Sequence, residues 1–268
     1  MPSTDIDQSR YVFDNDNVHS MEQHRCLAAA YDPLTTRRLA QTRLTRGWRC
    51  LEVGAGGGSV ARWLAGRVAP TGRVVATDIK PHHIARAPGL TVRRHDVVVD
   101  PLPEAEFDLV HARLVLLHLP RRIAVLDKLV RALKPGGWLQ LDEFDISYGP
   151  CLRAPSPAAK RLYERFLEAK AAVMASAGAD GQWGRKLAGA MRDARLLDID
   201  VHPQLDVWHA GSPGLELLVH HTFHLRDQLI AVGMTDDELA DVRAVLRDPA
   251  FIAVSCAIYS VRGRREPR

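Results

Sequence analysis

The stretch that decides the fold runs from Arg49 to Gly58 and reads Arg-Cys-Leu-Glu-Val-Gly-Ala-Gly-Gly-Gly. Its first half is a short apolar run, which is typical of a strand buried on both faces of a parallel sheet. The glycines of its second half permit a positive φ and lack a Cβ, so the chain can turn sharply and a ligand can approach the backbone. A helix is predicted from Ser59, where apolar residues begin to recur with the spacing of one helical face. Strand, glycine turn and helix N-terminus together indicate a nucleotide-type site, because free N–H groups point into the turn.

The spacing of the glycines separates the possible nucleotide ligands. The dinucleotide fingerprint Gly-x-Gly-x-x-Gly, started at Gly54, needs a glycine where the chain has Ser59. The chain instead reads acid-x-Gly-x-Gly-x-Gly, with Glu52 two residues before the first glycine. This pattern resembles motif I of the class I S-adenosylmethionine-dependent methyltransferases. The resemblance implies that Gly54, Ala55 and Gly56 line the cofactor and that the Glu52 carboxylate meets its ammonium group.

Two later strands are also predicted to end in a carboxylate. Asp78 closes the second strand, where an acid is placed to accept hydrogen bonds from ribose hydroxyls of either NAD or S-adenosylmethionine. Asp96 closes the third strand, and the resemblance assigns it to the adenine amino group and the following Val97 N–H to a ring nitrogen. Ile79 is included in the predicted cofactor site beside Asp78. The alternatives are a cap or turn carboxylate for Asp78 and a turn residue for Asp96.

The order of the remaining motifs predicts the fold class. A fourth strand is predicted over 107–111, a helix over 121–133, and a fifth strand over 138–144 after Leu-Lys-Pro-Gly-Gly. The family resemblance covers about residues 47–145. It implies an α/β fold, with a Rossmann-like seven-stranded mostly parallel sheet, an antiparallel final strand, a helical N-terminal segment and a helical insertion.

Four segments are predicted along the chain. Residues 1–46 form an N-terminal flap and helices, 47–150 the S-adenosylmethionine-binding Rossmann-like core, 151–195 a helical insertion that caps the substrate, and 196–268 a strand-helix-strand ending. In the first segment, Asp32-Pro33 predicts the start of a helix that runs to about Arg46. Tyr11 lies in an otherwise polar stretch, and the resemblance places it near the cofactor. The alternative for that stretch is a hydrophobic anchor that holds the N-terminus to the core.

The residues that would serve the chemistry are less well determined by sequence. His111 follows the fourth strand and is predicted to contact cofactor or acceptor, with a backbone-bonded core histidine as the alternative. The other candidate substrate-binding residues are Arg113, His118, His221 and His224. For Arg113 the alternative is an ion pair with a nearby acid. Sequence selects no general base, and the His220/His224 spacing without a third ligand predicts no metal site.

Composition narrows the possible partners. The 268 residues carry 36 Lys and Arg against 32 Asp and Glu, a small excess that gives a net charge of +4. No apolar run is long enough to span a membrane, the N-terminus does not resemble a signal peptide, and the four cysteines are scattered. We therefore expect a cytoplasmic protein. The tetrad that marks methylation of nucleic-acid amino groups is absent after the fourth strand, so a small-molecule acceptor is expected and nucleic acid is not. The oligomeric state is open, with a homodimer possible.

These observations predict an enzyme that moves a methyl group from S-adenosylmethionine to O, N or C of a small, partly apolar metabolite. Methyl transfer from a sulfonium depends mainly on alignment of the reactants, so the lack of an obvious base does not oppose it. One alternative is an NAD-dependent oxidoreductase, against which Ser59 counts. The other alternative is a protein that binds S-adenosylmethionine without catalysis or without methylation.

Overall fold

The structure is a computed structural model that describes residues 11–267. A seven-stranded sheet forms its centre. The strands are β1 (Arg49–Val53), β2 (Arg73–Asp78), β3 (Leu90–Arg94), β4 (Phe107–Arg113), β5 (Leu133–Asp145), β6 (Cys151–Arg153), β7 (Leu197–Gln204), β8 (Val207–His209), β9 (Ile252–Val254) and β10 (Ala257–Arg264). The order in the sheet is β3-β2-β1-β4-β5-β10-β7, and β10 runs antiparallel to both of its neighbours. The predicted Rossmann-like sheet with an antiparallel final strand is confirmed.

The strand order reverses between β1 and β4, and this position determines where a ligand can bind. β1 pairs in parallel with β2 on one side and with β4 on the other. Ligands of open α/β sheets bind beyond the carboxyl ends of the strands at such a reversal. The glycine turn after β1 and the carboxyl ends of β2 and β4 therefore meet at one edge.

Eight helices surround the sheet within the described residues. They are α1 (Ser20–Ala40), α2 (Ser59–Val68), α3 (Arg122–Ala132), α4 (Pro157–Ser176), α5 (Trp183–Asp193), α6 (Pro213–His224), α7 (Arg226–Ala231) and α8 (Asp236–Arg247). α2, α3 and α5 pack on the sheet, whereas α4, α6, α7 and α8 pack largely on one another, and α6 also packs on α1. None of these helices is long and apolar enough to cross a bilayer. Strands β6, β9 and β8 form a second, small antiparallel sheet that was not predicted.

The predicted start of the first helix at Asp32-Pro33 is wrong. α1 begins at Ser20, passes through Pro33 and ends at Ala40. Proline removes one helical hydrogen bond, which costs about 3 kcal/mol or more in a helix interior. Tyr31 and Leu34 on either side of it are fully buried, and this packing holds the helix together across the proline.

The strand-helix-strand ending predicted for 196–268 contains more elements than that pattern. Its helical part consists of α6, α7 and α8, and α6 and α7 are separated at Leu225. Its last strand region is split into β9 and β10, because Ser255 leaves the ladder to bond with Asp206 in both directions. β7, which contains Pro203, lies at the end of the sheet, the usual position for a strand with a proline.

The division into four segments stays a prediction. Within 151–195, α4 packs on α7 and α8, whereas α5 packs on β5 and β10 of the central sheet. The part of this segment that lies away from the sheet is therefore α4, and α5 belongs to the helical layer of the core.

Candidate functional site

The glycine turn after β1 has the strained geometry that its sequence predicts. Gly54, Gly56 and Gly58 have φ values of +62°, +52° and +72°, which non-glycine residues rarely adopt. A Cβ on Gly54 would lie 2.4 Å from Cγ2 of Val115, and one on Gly56 would lie 2.8 Å from Cε1 of His24. Side chains from α1 and from the loop after β4 therefore approach the turn so closely that only glycine fits.

Asp78 faces this turn from the end of β2. Its Oδ2 accepts a hydrogen bond from the Gly56 N–H at 2.9 Å, and its Oδ1 accepts from the Lys80 N–H at 2.9 Å and from Asn15 Nδ2 at 3.2 Å. Burial raises the pKa of Asp78, while these N–H donors and two nearby histidines act in the opposite direction. The carboxylate predicted to bind ribose thus lies directly beside the glycine backbone, and its Oδ2 accepts only one hydrogen bond from the described residues.

The segment before α1 covers this carboxylate. Asn15 is buried, and its carbonyl oxygen accepts hydrogen bonds from Ser20 Oγ at 2.8 Å and from Nε2 of His83 and His82 at 2.9 and 3.1 Å. Its side-chain oxygen lies 3.0 Å from His24 Nε2. Sequence analysis missed Asn15 and His24, although an isolated run of polar residues next to aromatic ones was a signal that this stretch is held by specific contacts.

Glu52 and His111 are buried and contact each other, and their predicted contact with the cofactor stays a prediction. Glu52 is 3% exposed and His111 is 0% exposed, and their Oε2 and Nδ1 atoms lie 2.6 Å apart. His111 Nε2 lies 3.4 Å from Oδ2 of Asp142. Burial opposes a charge on this ring, but the two carboxylates raise the pKa of His111 to about 9. The charged imidazole of His111 on β4 therefore contacts the carboxylates of Glu52 on β1 and Asp142 on β5, and it pairs with the Glu52 carboxylate inside the sheet.

Arg113 is likewise bonded within the protein, and its assignment to the substrate stays a prediction. Its Nη1 lies 2.8 Å from Oδ1 of Asp32 and donates a hydrogen bond to Thr35 Oγ1 at 3.1 Å. Ser59 Oγ donates to the same Asp32 oxygen at 3.2 Å. The ion pair that sequence analysis named as the alternative thus connects the end of β4 to α1 and to the start of α2.

Asp96 lies on the same sheet edge as Asp78. The backbone N–H of His95, the residue before Asp96, donates to the Asp78 carbonyl oxygen at 2.9 Å. Asp96 Oδ1 accepts a hydrogen bond from the Val98 N–H at 2.8 Å. Asp96 therefore does form the turn that was its alternative role. Ile79 is exposed beside Asp78, and Val97 is buried after Asp96. Their assignments to the adenosine end of the cofactor stay predictions.

A largely apolar cavity of about 870 Å³, open mouth included, adjoins the glycine turn. Its wall is formed by Tyr11, Phe13, Gln23, Leu27, Tyr31, Leu114, Leu117, His118, Phe144, Ile146, Tyr148, Gly149, Tyr163, Leu167, Lys170, Met174, Trp208, Leu217, Leu218, His221, Val254 and Cys256. The loop after β4 connects the two places, because its Val115 packs on Gly54 while Leu114 and Leu117 line the cavity. A largely apolar wall with a few polar groups is typical of a site for a small organic molecule.

Tyr11 lies in the cavity wall at the border with the carboxylate edge. Its ring packs edge-on against His118, with centroids 5.0 Å apart. Burial, together with the carboxylates of Asp78 and Glu143, raises the pKa of the Tyr11 hydroxyl. Tyr11 therefore stands between the predicted cofactor site and the cavity, and its contact with the cofactor stays a prediction.

The candidate histidines divide into two in the wall and one behind it. His118 and His221 line the cavity, whereas His224 is buried against Phe13 and does not. Burial and the nearby Arg122 lower the pKa of His118 to about 4. Burial also lowers the pKa of His221, and that of His224 to about 4. All three rings are thus neutral at pH 7 and can accept a proton, but only the first two reach the cavity.

Residues 51–141 match a family model described as a methyltransferase domain. Methyltransferase str3 of Strobilurus tenacellus is 29% identical over 177 residues, which are 65% of this chain and 61% of that protein. Methyltransferase str2 of the same organism is 37% identical over 99 residues, 36% of each chain. The chain therefore spans less than two thirds of the length of the curated relatives it matches.

A solved structure shows the same fold over most of the chain. The phosphoethanolamine N-methyltransferase 2 of Haemonchus contortus, determined with phosphomonomethylethanolamine and S-adenosylhomocysteine, superposes with a TM-score of 0.53 at 15% identity. The superposition covers 87% of this chain and 53% of that one. The family model's region begins in β1 and ends within β5, so it contains the glycine turn and the carboxyl ends of β1, β2, β3 and β4.

Proposed function

We propose that the chain is a class I S-adenosylmethionine-dependent methyltransferase and that it transfers a methyl group to O, N or C of a small, partly apolar molecule. The observation that carries this proposal is the position of the apolar cavity. It adjoins the glycine turn through the loop after β4, so a molecule in the cavity faces a ligand held by the turn. An acceptor site and a cofactor site that share a wall are what in-line transfer requires.

The residues present fit S-adenosylmethionine. We propose that Gly54, Ala55 and Gly56 form the cradle for its methionine part and that Asp78 accepts a hydrogen bond from its ribose. The positive φ of Gly54 and Gly56 requires glycine, so the turn presents main-chain groups without a Cβ, as a ligand that binds main-chain groups needs. When bound, this cofactor supplies a methyl group on a positively charged sulfur. Ile79, Asp96 and Val97 remain the proposed adenine and ribose neighbours.

The chain itself supplies alignment, exclusion of water and a place for a proton. The apolar wall of the cavity holds the acceptor away from bulk solvent, and alignment of two reactants can contribute about 7 to 11 kcal/mol. His118 and His221 line the cavity in their neutral form and are the candidate proton acceptors of the wall, but burial lowers the pKa of both rings and so makes them weak bases. Alignment of the reactants is therefore the main contribution that we propose for the chain.

Methyl transfer is tested with S-adenosylmethionine that carries an isotopically labelled methyl group. Purified protein is incubated with this cofactor and a small-molecule extract of its host, and products are detected by mass spectrometry. We expect at least one product that gains a labelled CH₂ unit with wild-type protein and not with Asp78→Asn. Binding of the cofactor without any labelled product would refute transfer and support a non-catalytic binding protein.

A further inference from the structure

Lys170 lies in the wall of the apolar cavity, far from any compensating charge. Lys170 lies in the C-terminal half of α4. Among the described residues that line the cavity, it is the only one with a formal charge. Across residues 11–267, its Nζ atom forms neither an ion pair nor a hydrogen bond, in contrast to Lys160 and Lys186, which pair with carboxylates. An ammonium group in such a place is costly unless a ligand completes its bonding.

The electrostatic surroundings of Lys170 are uncompensated as well. Burial lowers the pKa of Lys170, and a thiol, that of Cys256, is the only group that acts against this effect. After burial, the charge of Lys170 is the next cause that lowers the pKa of His221, and it partly opposes the rise that burial causes in the pKa of Cys256. Since the two histidines of the wall are neutral at pH 7, Lys170 is the charged group of the described wall.

Two further polar groups of the wall also lack partners. Tyr31 is 1% exposed and Gln23 is 4% exposed, yet the Tyr31 hydroxyl and the Gln23 Oε1 have no hydrogen-bond partner within the described part of the chain. Both residues belong to α1 and line the cavity. His221 Nδ1 in the same wall is unpaired as well. Buried polar atoms are nearly always hydrogen-bonded, so these three atoms, beside the half-buried ammonium of Lys170, point to a ligand that pairs with them.

We propose that the cavity binds an organic anion, a small and mostly apolar carboxylate whose charge pairs with Lys170 Nζ. Tyr31 and Gln23 then bind other polar atoms of the same molecule, and the aromatic and aliphatic wall contacts its apolar body. That this carboxylate is the methyl acceptor rests on the proposed function. The preference of the cavity for an anion does not.

The test compares two probes of the same shape. Cinnamate carries a carboxylate and cinnamamide a neutral amide, and the affinity of the whole protein for each is measured by isothermal titration calorimetry at neutral pH. We expect cinnamate to bind about 10- to 100-fold more tightly, the ratio expected for a charge-assisted hydrogen bond. Lys170→Met should remove this preference without weakening cinnamamide, and Lys170→Arg should retain most of it.

Lys160→Met is the matched control, since it removes an exposed lysine of the same helix. We expect it to bind both probes like the wild type. Equal affinity for the two probes, no binding of cinnamate, or an unchanged preference in Lys170→Met would each overturn the proposal. A parallel titration with S-adenosylhomocysteine separates the two claims: if it gives no binding while the cinnamate preference persists, the proposed function fails and the anion site stands.

Discussion

Replacement of Glu52 by glutamine separates a structural role of this carboxylate from a ligand-binding one. The variant keeps the shape of the side chain but removes the negative charge that lies 2.6 Å from His111 Nδ1 in the middle of the sheet. Loss of one partner from a buried ion pair typically costs about 3 to 5 kcal/mol. We expect about 3 kcal/mol, the lower end, because Asp142 still faces the other ring nitrogen at 3.4 Å.

The pH dependence of unfolding gives an independent measure of the same pair. The pKa of His111 is about 9 in the folded protein against 6.5 for a free imidazole, so the pair contributes stability that is fully present below pH 6.5. That contribution, about 3 kcal/mol, is lost as the pH rises towards 9. Glu52→Gln should therefore flatten the stability profile in this window.

The assay is urea unfolding followed by tryptophan fluorescence at pH 6.5 and pH 9. Glu106→Gln is the matched control, because Glu106 pairs with Arg49 of the same β1 strand at a solvent-accessible position. Such a pair is worth about 0 to 1 kcal/mol, so this control should stay close to the wild type at both pH values. If Glu52→Gln unfolds like the wild type and instead loses its affinity for S-adenosylhomocysteine, the buried-pair interpretation is refuted.

Two further predictions concern the glycine turn and the buried histidine behind the cavity. Gly54→Ala should lower the free energy of unfolding, measured by calorimetry, by at least about 1 to 2 kcal/mol for the left-handed backbone, plus the overlap with Val115. Adding Val115→Ala should recover the part due to overlap only, and full recovery would contradict the strained backbone. Burial lowers the pKa of His224 from 6.5 to about 4, so stability is complete above pH 6.5 and falls as the pH drops towards 4, by up to about 3 kcal/mol. His224→Phe should weaken this acid sensitivity in urea unfolding, and an unchanged slope between these pH values would show that another group causes it.

The glycine turn and the strand-end acids could be predicted because their evidence is local. The turn needs positive φ at fixed offsets, and a short apolar run before it can only be a buried strand. In the structure, Asp78 indeed lies against the Gly56 N–H, and the sheet has the predicted antiparallel last strand. The match of residues 51–141 to a methyltransferase-domain model agrees with the predicted family resemblance, and the enzyme activity stays a proposal. The cytoplasmic location and the cofactor residues stay predictions.

The parts that sequence analysis missed or misjudged depend on contacts between distant residues. Glu52 was assigned to a ligand, and the parallel register of β1 and β4 sets it directly beside His111. Only the strand register, which no local pattern specifies, reveals that these two charges neutralise each other. Similarly, Pro33 indicates a helix start unless the burial of its neighbours is known.

The unpaired ammonium of Lys170 could not be predicted either, because its surroundings also come from distant parts of the sequence. It lies on α4, and two of the other unpartnered groups of its cavity come from α1, more than a hundred residues earlier. In sequence, Lys170 reads as one of many lysines on an amphipathic helix. Its lack of a partner becomes apparent only when the whole cavity wall is assembled.

The most direct test of the account is calorimetric titration of S-adenosylhomocysteine into the wild type and into Asp78→Asn, with NADH as a comparison ligand. Asparagine keeps the size of the side chain but cannot accept with two charged oxygens, so we expect binding that is about 10- to 100-fold weaker in the variant. The wild type should bind S-adenosylhomocysteine and show no heat with NADH. No binding to the wild type, or equal binding to both proteins, would contradict the claim that the glycine turn and Asp78 hold this cofactor.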